Sequence, residues 1–250
     1  NMNRLTRNGL IAQAEAAKTI RAFAKKKPKV GIAISAGAYI PKSEFYEDIE
    51  EARRMSFYSR VGTTTNRWWN DPMVLGQPVS IYGVFRSFKR DIPRMKSDPD
   101  FLGINLYSPF LRPQEASAYP EDRRNSLGWP SDGRGLYWVI RFYYERYHLP
   151  VMVTENGYCA EDKVGEDGCV HDPARSAYLR EYLREVRRAV QEGIPVLGYQ
   201  YWSVMDNFEW AEGYAPRFGL IHVNHQTKKR TLKDSAYVYQ EIIENNGEDL

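Results

Sequence analysis

The sequence predicts an α/β fold, and more narrowly one half of a parallel (β/α)8 TIM barrel. Apolar, β-branched segments alternate with helical segments, as in parallel βαβ units. A complete barrel takes about 250 residues, yet this chain of 250 residues contains four predicted strand–helix units separated by long loops. Four parallel strands leave two open edges, so we expect the other half to be a separate chain or missing. No linker divides 1–250, which predicts a single domain.

The N-terminal part of the chain predicts a helix, a strand and a second helix. Residues 10–26 have the apolar spacing of a helix, and Pro28 follows as a stop signal. Residues 29–35 (KVGIAIS) are predicted to form a strand, and 44–59 a helix. The pattern is irregular from 62 to 83, which predicts no regular element there.

Two further strands are predicted on either side of a long loop and a helix. The apolar run 101–107 (FLGINLY) is the first of them. A segment rich in proline, glycine and serine then reaches Arg134, and a helix covers 135–147. The next strand is 150–154 (PVMVT).

The C-terminal part predicts a long helix, the fourth strand and a last helix. Asp172 is expected to cap the long helix, which has a proline at its first position and runs to about residue 192. Gly193 should end it. The fourth strand is 195–202 (PVLGYQYW), and the last helix covers about 232–244.

Charge and hydropathy argue against nucleic-acid and membrane partners. The net charge is +3, and the two short basic runs, 25–27 and 228–230, are typical of solvated faces. No apolar run reaches the roughly 18 residues of a membrane span, and no signal peptide is evident. We therefore expect a cytoplasmic location, where reduced thiols are the normal state.

The two cysteines, Cys159 and Cys169, do not predict a metal site. They lie in a polar loop with no CxxC pattern and no histidine at ligand spacing. A disulfide between them is possible, but reduced thiols fit a cytoplasmic protein better. We expect neither a metal nor an organic cofactor.

Glu155 is the first candidate for chemistry. It follows the apolar run of the third predicted strand and precedes Asn156-Gly157, which we interpret as a turn. In parallel α/β folds the working residues lie just past the carboxyl ends of the strands. The same position would also suit a loop or helix-capping carboxylate.

The segment after the fourth strand combines aromatic side chains with carboxylates. It presents Trp202, Asp206, Glu209 and Trp210 within nine residues. An indole face packs on the C–H surface of a sugar, and carboxylates accept hydrogen bonds from its hydroxyls. The pattern favours a polyhydroxylated ligand, although an aromatic core with a charged rim would also explain it.

Asn105 and Tyr107 end the second predicted strand. Because they are two residues apart, their side chains point to the same side of the strand. We expect Asn105 to contact substrate. A phenol near a carboxylate can orient it and stabilise its charged form through a hydrogen bond.

Together, these segments resemble glycoside hydrolase family 1, the retaining β-glucosidases. The segments that carry the resemblance are GINLYS (103–108), LGWPSDGRGL (127–136), VTENG (153–157), YWSVMDNFEWAEGYAPRFGL (201–220) and KKRTLKDSAYVY (228–239). The resemblance covers the second half of the family, barrel strands 5–8 with their helices. It implies a C-terminal half-barrel that an N-terminal half-barrel chain completes.

The resemblance also implies roles for individual residues. Glu155 would be the catalytic nucleophile and Tyr107 the tyrosine that hydrogen-bonds it. The matching sugar-binding residues would be Trp202, Glu209, Trp210, Trp129 and Phe218. Most family members have two aromatic residues after the asparagine, whereas this chain has Leu106-Tyr107. The tyrosine that would touch the nucleophile is retained.

The resemblance implies an unphosphorylated β-glycoside as substrate. Members that act on 6-phosphoglycosides replace the glutamate of the FEW segment with a small residue and add a nearby lysine. Here Glu209 stands at that position, and its charge would repel a phosphate. Glucose, galactose and fucose all fit this argument.

The second carboxylate of a retaining glycosidase is not evident in this chain. Asp206 or Glu209 is chemically conceivable as the acid/base. The resemblance instead implies an Asn-Glu-Pro segment at the fourth barrel strand, before this chain begins, and 1–250 contain no such segment. Without acid/base assistance, hydrolysis would be typically 10²–10⁴-fold slower.

Two classes of function therefore stay open. The first is an enzyme, a β-glycosidase whose acid/base comes from an N-terminal half-barrel chain. The second is a non-catalytic half-barrel that pairs with another copy of itself and binds sugar or serves as a scaffold. A thioglucosidase is a weaker alternative, because those family members typically lose the acid/base by substitution rather than by losing half of the fold.

Overall fold

A computed structural model describes residues 2–58, 66–77, 79 and 90–250. A four-stranded sheet, in which every pairing is parallel, is its central element. Its strands, paired in chain order, are β1 (Gly31–Ser35), β2 (Phe101–Asn105), β3 (Val151–Asn156) and β4 (Val196–Tyr201). Two short strands, β5 (Ile221–Val223) and β6 (Arg230–Leu232), form a separate antiparallel pair.

The described helices mostly follow or precede the strands of the four-stranded sheet. They are α1 (Met2–Phe23), α2 (Tyr46–Tyr58), α3 (Asn66–Asn70), α4 (Ile92–Met95), α5 (Pro113–Ser117), α6 (Arg134–Tyr147), α7 (Pro173–Gln191) and α8 (Asp234–Glu244). A π-helical turn continues α3, and 3-10 turns lie at Glu121–Arg123 and Trp210–Glu212. The loop predicted before Arg134 is thus partly helical, since Glu115 accepts a hydrogen bond from the backbone N–H of Arg112 at 2.8 Å and starts α5.

The main core lies between the sheet and the helices. Leu102 and Ile104 of β2 are fully buried there, beside α6, and a side chain of this size contributes about 1.5–3 kcal/mol when buried. On β1, Ala33 and Ser35 are exposed instead. Because neighbouring residues of a strand point to opposite faces, one face of the sheet is covered and the other is open at β1.

The edges of the sheet are also open. Among the described residues, β1 and β4 each pair with a single neighbouring strand. A parallel sheet with helices on one face and two free edges has the geometry of a segment of a barrel, not of a complete closed barrel. The prediction of a half-barrel is confirmed. The assignment of 1–250 to one undivided domain stays a prediction.

The first helix begins earlier than predicted. It starts at Met2 rather than at residue 10, and it ends at Phe23, ahead of Pro28. The buried Thr6 explains the extension, since its hydroxyl accepts a hydrogen bond from Trp68 Nε1 at 2.9 Å. That partner is 62 residues away, so local spacing could not reveal it.

The prediction that 62–83 is irregular is wrong for 66–75. Those residues form α3 and the π-helical turn. The buried side chain of Asn66 explains the order, because it donates hydrogen bonds to the backbone oxygens of Gly37 (2.7 Å) and Ser56 (2.8 Å). Residues 62–65, 78 and 80–83 of this stretch lie outside the described part of the chain.

The C-terminal part differs from the prediction in two respects. The β5–β6 pair was not predicted, and it takes up residue 232, which shortens the last helix. Asp172 precedes α7, but its side chain makes no cap hydrogen bond. It accepts instead from Arg175 and Ser235, which are buried with it. Gly193 follows the end of α7 with φ of 84°, as predicted.

The state of the cysteines and the character of the helices relate to the predicted cytoplasmic location. Cys159 is buried and Cys169 is exposed, and both are free thiols. Within the described ranges, no helix has the length and apolar character that a membrane crossing requires. A cytoplasmic location stays a prediction.

His171 joins the loop that precedes α7 to the first turn of α8. Its Nδ1 lies 2.7 Å from Asp234 Oδ2, and its Nε2 lies 2.9 Å from Asp167 Oδ2. The hydrogen bonds to Asp234 and Asp167 raise the pKa of His171 to about 9. The imidazole is therefore protonated, and bonded to both carboxylates, at neutral pH.

The stability of the protein should depend on pH through His171. A raised folded-state pKa stabilises the fold fully below the unfolded value of about 6.5. That contribution is lost as pH rises through about 9. We expect the free energy of unfolding of the wild type to fall between these limits relative to His171→Gln, in urea titrations at several pH values. His148→Asn serves as control, because it removes a histidine outside this cluster. Parallel pH profiles for wild type and His171→Gln would contradict the prediction.

Candidate active site

The carboxyl ends of β2 and β3 bring Tyr107 and Glu155 together. The backbone N–H of Leu106 donates to the backbone oxygen of Glu155 at 2.9 Å, which joins the two strand ends. The Tyr107 hydroxyl then donates to Glu155 Oε2 at 2.8 Å. Both side chains are half-buried. This places a carboxylate with a fixed orientation at the strand end.

Tyr107 stays a hydrogen-bond donor over the whole range of neutral pH. Burial raises the pKa of its phenol, and the hydrogen bond to Glu155 and the charges of Glu155 and Glu209 raise it further. A protonated phenol donates to the carboxylate and stabilises its charged form.

Three of the candidate residues form an aromatic cluster beside Glu155. The ring centroids of Tyr107 and Trp129 are 5.7 Å apart, and those of Tyr107 and Phe218 are 5.9 Å apart. Trp129 and Phe218 close the triangle at 6.0 Å. Such edge-to-face and tilted pairs are the favoured arrangements of aromatic rings. The cluster holds the Tyr107 ring on two sides.

The end of β4 lies against the end of β3 through backbone contacts. The N–H of Trp202 donates to the backbone oxygen of Asn156 at 2.9 Å. A Cβ atom on Gly157 would lie 1.9 Å from the carbonyl oxygen of Trp202, so only glycine permits this approach. The peptide between Trp202 and Ser203 is cis. The interpretation of Asn156-Gly157 as a turn is wrong for Asn156, which is the last residue of β3 and fully buried.

Glu209 and Trp210 lie on the loop that follows Trp202. Glu209 Oε2 accepts a hydrogen bond from Asn207 Nδ2 at 3.1 Å, and its backbone N–H donates to the oxygen of Gly213 at 2.7 Å. Trp210 is 80% exposed. The structure thus places Glu209 in a local hydrogen-bond network, whereas the indole of Trp210 faces solvent.

Asn105, at the end of β2, contacts Thr154 of β3, the residue that precedes Glu155. Its Oδ1 accepts a hydrogen bond from Thr154 Oγ1 at 2.6 Å. The pair connects β2 to β3 next to the catalytic candidates. A role for Asn105 in binding substrate stays a prediction, as do the roles of the other candidate residues.

Asp206 has no proton to give. It is buried and accepts hydrogen bonds from Lys233 (2.8 Å), Arg217 (2.6 Å) and the backbone N–H of Gly219 (3.0 Å). Burial alone would raise the pKa of Asp206, but attraction to Lys233 and the hydrogen bonds outweigh it and lower the pKa. An ionised carboxylate between two cations cannot act as a general acid, which argues against Asp206 as the second carboxylate.

Asp206 belongs to a larger ion-pair network behind the candidate site. The network connects the loop after β3, the start of α7, the loop after β4 and the junction of β6 with α8. It balances three carboxylates, those of Asp162, Asp172 and Asp206, with three cations, those of Arg175, Arg217 and Lys233. Because the charges cancel, the network can be buried, and it anchors the loop that carries Trp202 and Glu209.

Comparison with known proteins identifies the family. The sequence profile of glycosyl hydrolase family 1 matches residues 2–248, and the chain belongs to this family. It is 37% identical to the 1,4-β-D-glucan glucohydrolase of Thermotoga neapolitana over 254 residues, which cover 96% of this chain and 56% of that protein. It is 36% identical to β-glucosidase A of Thermotoga maritima, over 98% of this chain and 56% of that protein.

A solved structure agrees with this assignment. The family 1 β-glucosidase of T. maritima in complex with isofagomine lactam superposes with a TM-score of 0.84 at 34% identity. The match covers 99% of this chain and 58% of that chain. The chain therefore spans somewhat more than half the length of these relatives. The fold is a part of the family's (β/α)8 barrel, as predicted.

The roles of two residues near the site were not recognised from the sequence. Asn156 was taken for a turn residue, although its position directly after an apolar run suits a strand end. Lys233 was noted only as part of a motif. Its burial could not be foreseen, because its carboxylate partners, Asp162 and Asp206, lie 71 and 27 residues away.

Removing the charge of Lys233 should destabilise the protein strongly. Lys233→Met leaves Asp162 and Asp206 without their shared cation, and breaking a buried ion pair costs about 3–5 kcal/mol. We expect a loss of this size in the free energy of unfolding, measured in urea. Lys229→Met removes the same charge from an exposed position of the β5–β6 hairpin and should change it by less than about 0.5 kcal/mol. Equal stabilities of the two variants would contradict the role of the network.

Proposed function

We propose that this chain is the nucleophile-bearing half of a retaining β-glycosidase. It would hydrolyse unphosphorylated β-D-glycosides through a glycosyl-enzyme intermediate on Glu155, with the acid/base supplied by an N-terminal half-barrel. The hydrogen bond from Tyr107 to Glu155 carries the proposal, because it holds a carboxylate at the strand ends where barrel enzymes have their active sites.

The proposed reaction has two steps. In the first, an oxygen of Glu155 forms a bond to the anomeric carbon while the glycosidic C–O bond breaks, and the leaving oxygen takes a proton from the acid of the other half. In the second, that group, now a base, takes a proton from water, which displaces Glu155 and releases the sugar. Retaining enzymes keep the two carboxyl groups about 5–5.5 Å apart.

The surrounding side chains suit a sugar in the position that this reaction needs. The backbone N–H of Trp202 is bonded to the end of β3, and its indole offers an apolar face for the C–H groups of the ring. Glu209 offers charged acceptors for hydroxyl groups. The cluster of Tyr107, Trp129 and Phe218 provides an apolar wall next to Glu155.

The open edges of the sheet support the proposal that a second half-barrel docks onto this chain. At the β4 edge, Leu197 is 43% exposed. Val190 of α7 and Ile243 of α8 are also exposed, and they line a groove of about 560 Å³ between these two helices. A half-barrel docking along both edges would pair the free strands and cover apolar surface. It would also bring the acid/base that Asp206 cannot supply.

A mechanism-based probe tests the proposal. A 2,4-dinitrophenyl 2-deoxy-2-fluoro-β-D-glucoside has a leaving group that needs little protonation, so it reports the nucleophile even where the acid is absent. We expect one sugar adduct on this chain, mapped to Glu155, and no adduct on Glu155→Gln in intact mass spectra. Adding the N-terminal half should then raise the hydrolysis of an unactivated glycoside by about 10²–10⁴-fold.

The same spectra test the alternative function. The proposal would be overturned if the wild-type chain gave no adduct, with or without the N-terminal half, and formed a symmetric dimer by itself. That outcome would favour a non-catalytic half-barrel that closes its edges with a second copy.

The phosphorylation state of the substrate is a separate prediction. The chain is 31% identical to an aryl-phospho-β-D-glucosidase of Bacillus subtilis, so both substrate classes occur among its relatives. The carboxylate of Glu209 would repel a phosphate group. We expect the assembled enzyme to hydrolyse 4-nitrophenyl β-D-glucoside at least tenfold faster, in kcat/KM, than its 6-phosphate. A preference for the phosphate would contradict the role of Glu209.

A further inference from the structure

The side chain of Asn156 connects three elements around the candidate site. It is fully buried at the last position of β3. Its Nδ2 donates to the backbone oxygen of Leu106 at 2.7 Å and to the Tyr178 hydroxyl at 2.6 Å. Its Oδ1 accepts from the Tyr199 hydroxyl at 2.7 Å. One amide group thus bonds to the end of β2, to α7 and to β4.

The backbone of Asn156 adds a fourth contact. Its carbonyl oxygen accepts the N–H of Trp202 at 2.9 Å. Two of these four partners belong to the site's strand ends, because Leu106 precedes Tyr107 and Trp202 itself is the sugar-platform candidate. Asn156 itself follows Glu155. The three strand ends that carry the site meet at this one residue.

We propose that Asn156 is a positioning residue, which sets the distance between Tyr107 and Glu155 without touching the substrate. The inference rests on the proposed function. An amide is required because the Leu106 carbonyl can only accept a hydrogen bond, while the Tyr199 hydroxyl donates to the other atom of the same group. A carboxylate of the same shape would place an acceptor against the oxygen of Leu106, and that buried repulsion would part β2 from β3 at the point where Tyr107 reaches Glu155.

Asn156→Asp tests the inference, with Asn66→Asp as the matched control. Asn66 is also a buried asparagine with two backbone acceptors, Gly37 and Ser56, and a tyrosine donor, Tyr143. It lies outside the β2–β3–β4 junction. Both variants should lose stability, but only Asn156→Asp should disturb Tyr107 and Glu155. Tyr199→Phe, which removes one hydroxyl and keeps the ring, serves as a milder variant where Asn156→Asp fails to fold.

The kinetic readout is the inactivation of the assembled two-chain enzyme by the fluoro-glucoside, resolved into its rate constant and its binding constant. A displacement of about 1 Å at a reacting group costs about 10²-fold. We expect a fall of about this size in the inactivation rate constant for Asn156→Asp and a smaller fall for Tyr199→Phe. Binding should change little in either, and Asn66→Asp should match the wild type. Wild-type rate constants for both site variants would overturn the inference while leaving the proposed function intact.

A structural readout does not depend on activity. In crystal structures, the distance between the Tyr107 hydroxyl and Glu155 Oε2 should stay at 2.8 Å in Asn66→Asp. It should exceed about 3.5 Å, the limit of a hydrogen bond, in Asn156→Asp or, if that variant does not fold, in Tyr199→Phe. An unchanged contact would overturn the inference, whether or not the probe labels the wild-type protein. A wild-type protein that the probe never labels would count against the proposed function alone.

Discussion

The parallel pairing of β2, β3 and β4 sets the distances within the candidate site. Parallel strands end at the same edge of a sheet, so the residues that follow them meet whatever their separation along the chain. The pairing would still allow each strand end to splay, because ladder hydrogen bonds stop there. The buried amide of Asn156 and the close approach at Gly157 replace the missing ladder contacts. The Tyr107–Glu155 hydrogen bond is a consequence of that closure.

Electrostatics divide the carboxylates near the site into two kinds. Asp206 is surrounded by cations and backbone donors, so it is held ionised and immobile as part of a neutral network. Glu155 meets a neutral phenol instead and keeps a half-buried position. A carboxylate whose charge is already compensated is a poor nucleophile, whereas one held by a single neutral donor retains its reactivity. The environment, rather than the residue type, distinguishes Glu155 as the candidate for chemistry.

Local sequence was sufficient for the parts of the protein that local physics determines. The four strands, the helices α2, α6 and α7 between them and the place of Glu155 at a strand end follow from apolar runs and turn signals. The pairing of Tyr107 with Glu155 was instead implied by the family resemblance. The start of α1, the order of 66–75 and the burial of Lys233 depend on partners that are distant in sequence, such as Trp68 for Thr6. The β5–β6 pair was missed because strands of three residues carry too little periodicity to be recognised.

The same reasoning explains how half of a barrel can hold the Glu155 carboxylate in a fixed orientation. Among the described residues, the hydrogen bonds that orient Glu155 and its neighbour Asn156 come from α7, from β4 and from Leu106 and Tyr107 just past β2, so closing the barrel is not needed to orient Glu155. In the proposed enzyme, the separation between Glu155 and the acid/base is different, because it would depend on how the free edges of β1 and β4 are paired. Activated substrates, which need no proton, probe the first property, whereas unactivated glycosides probe the second. The ratio of the two activities would therefore measure how well a second half closes the sheet.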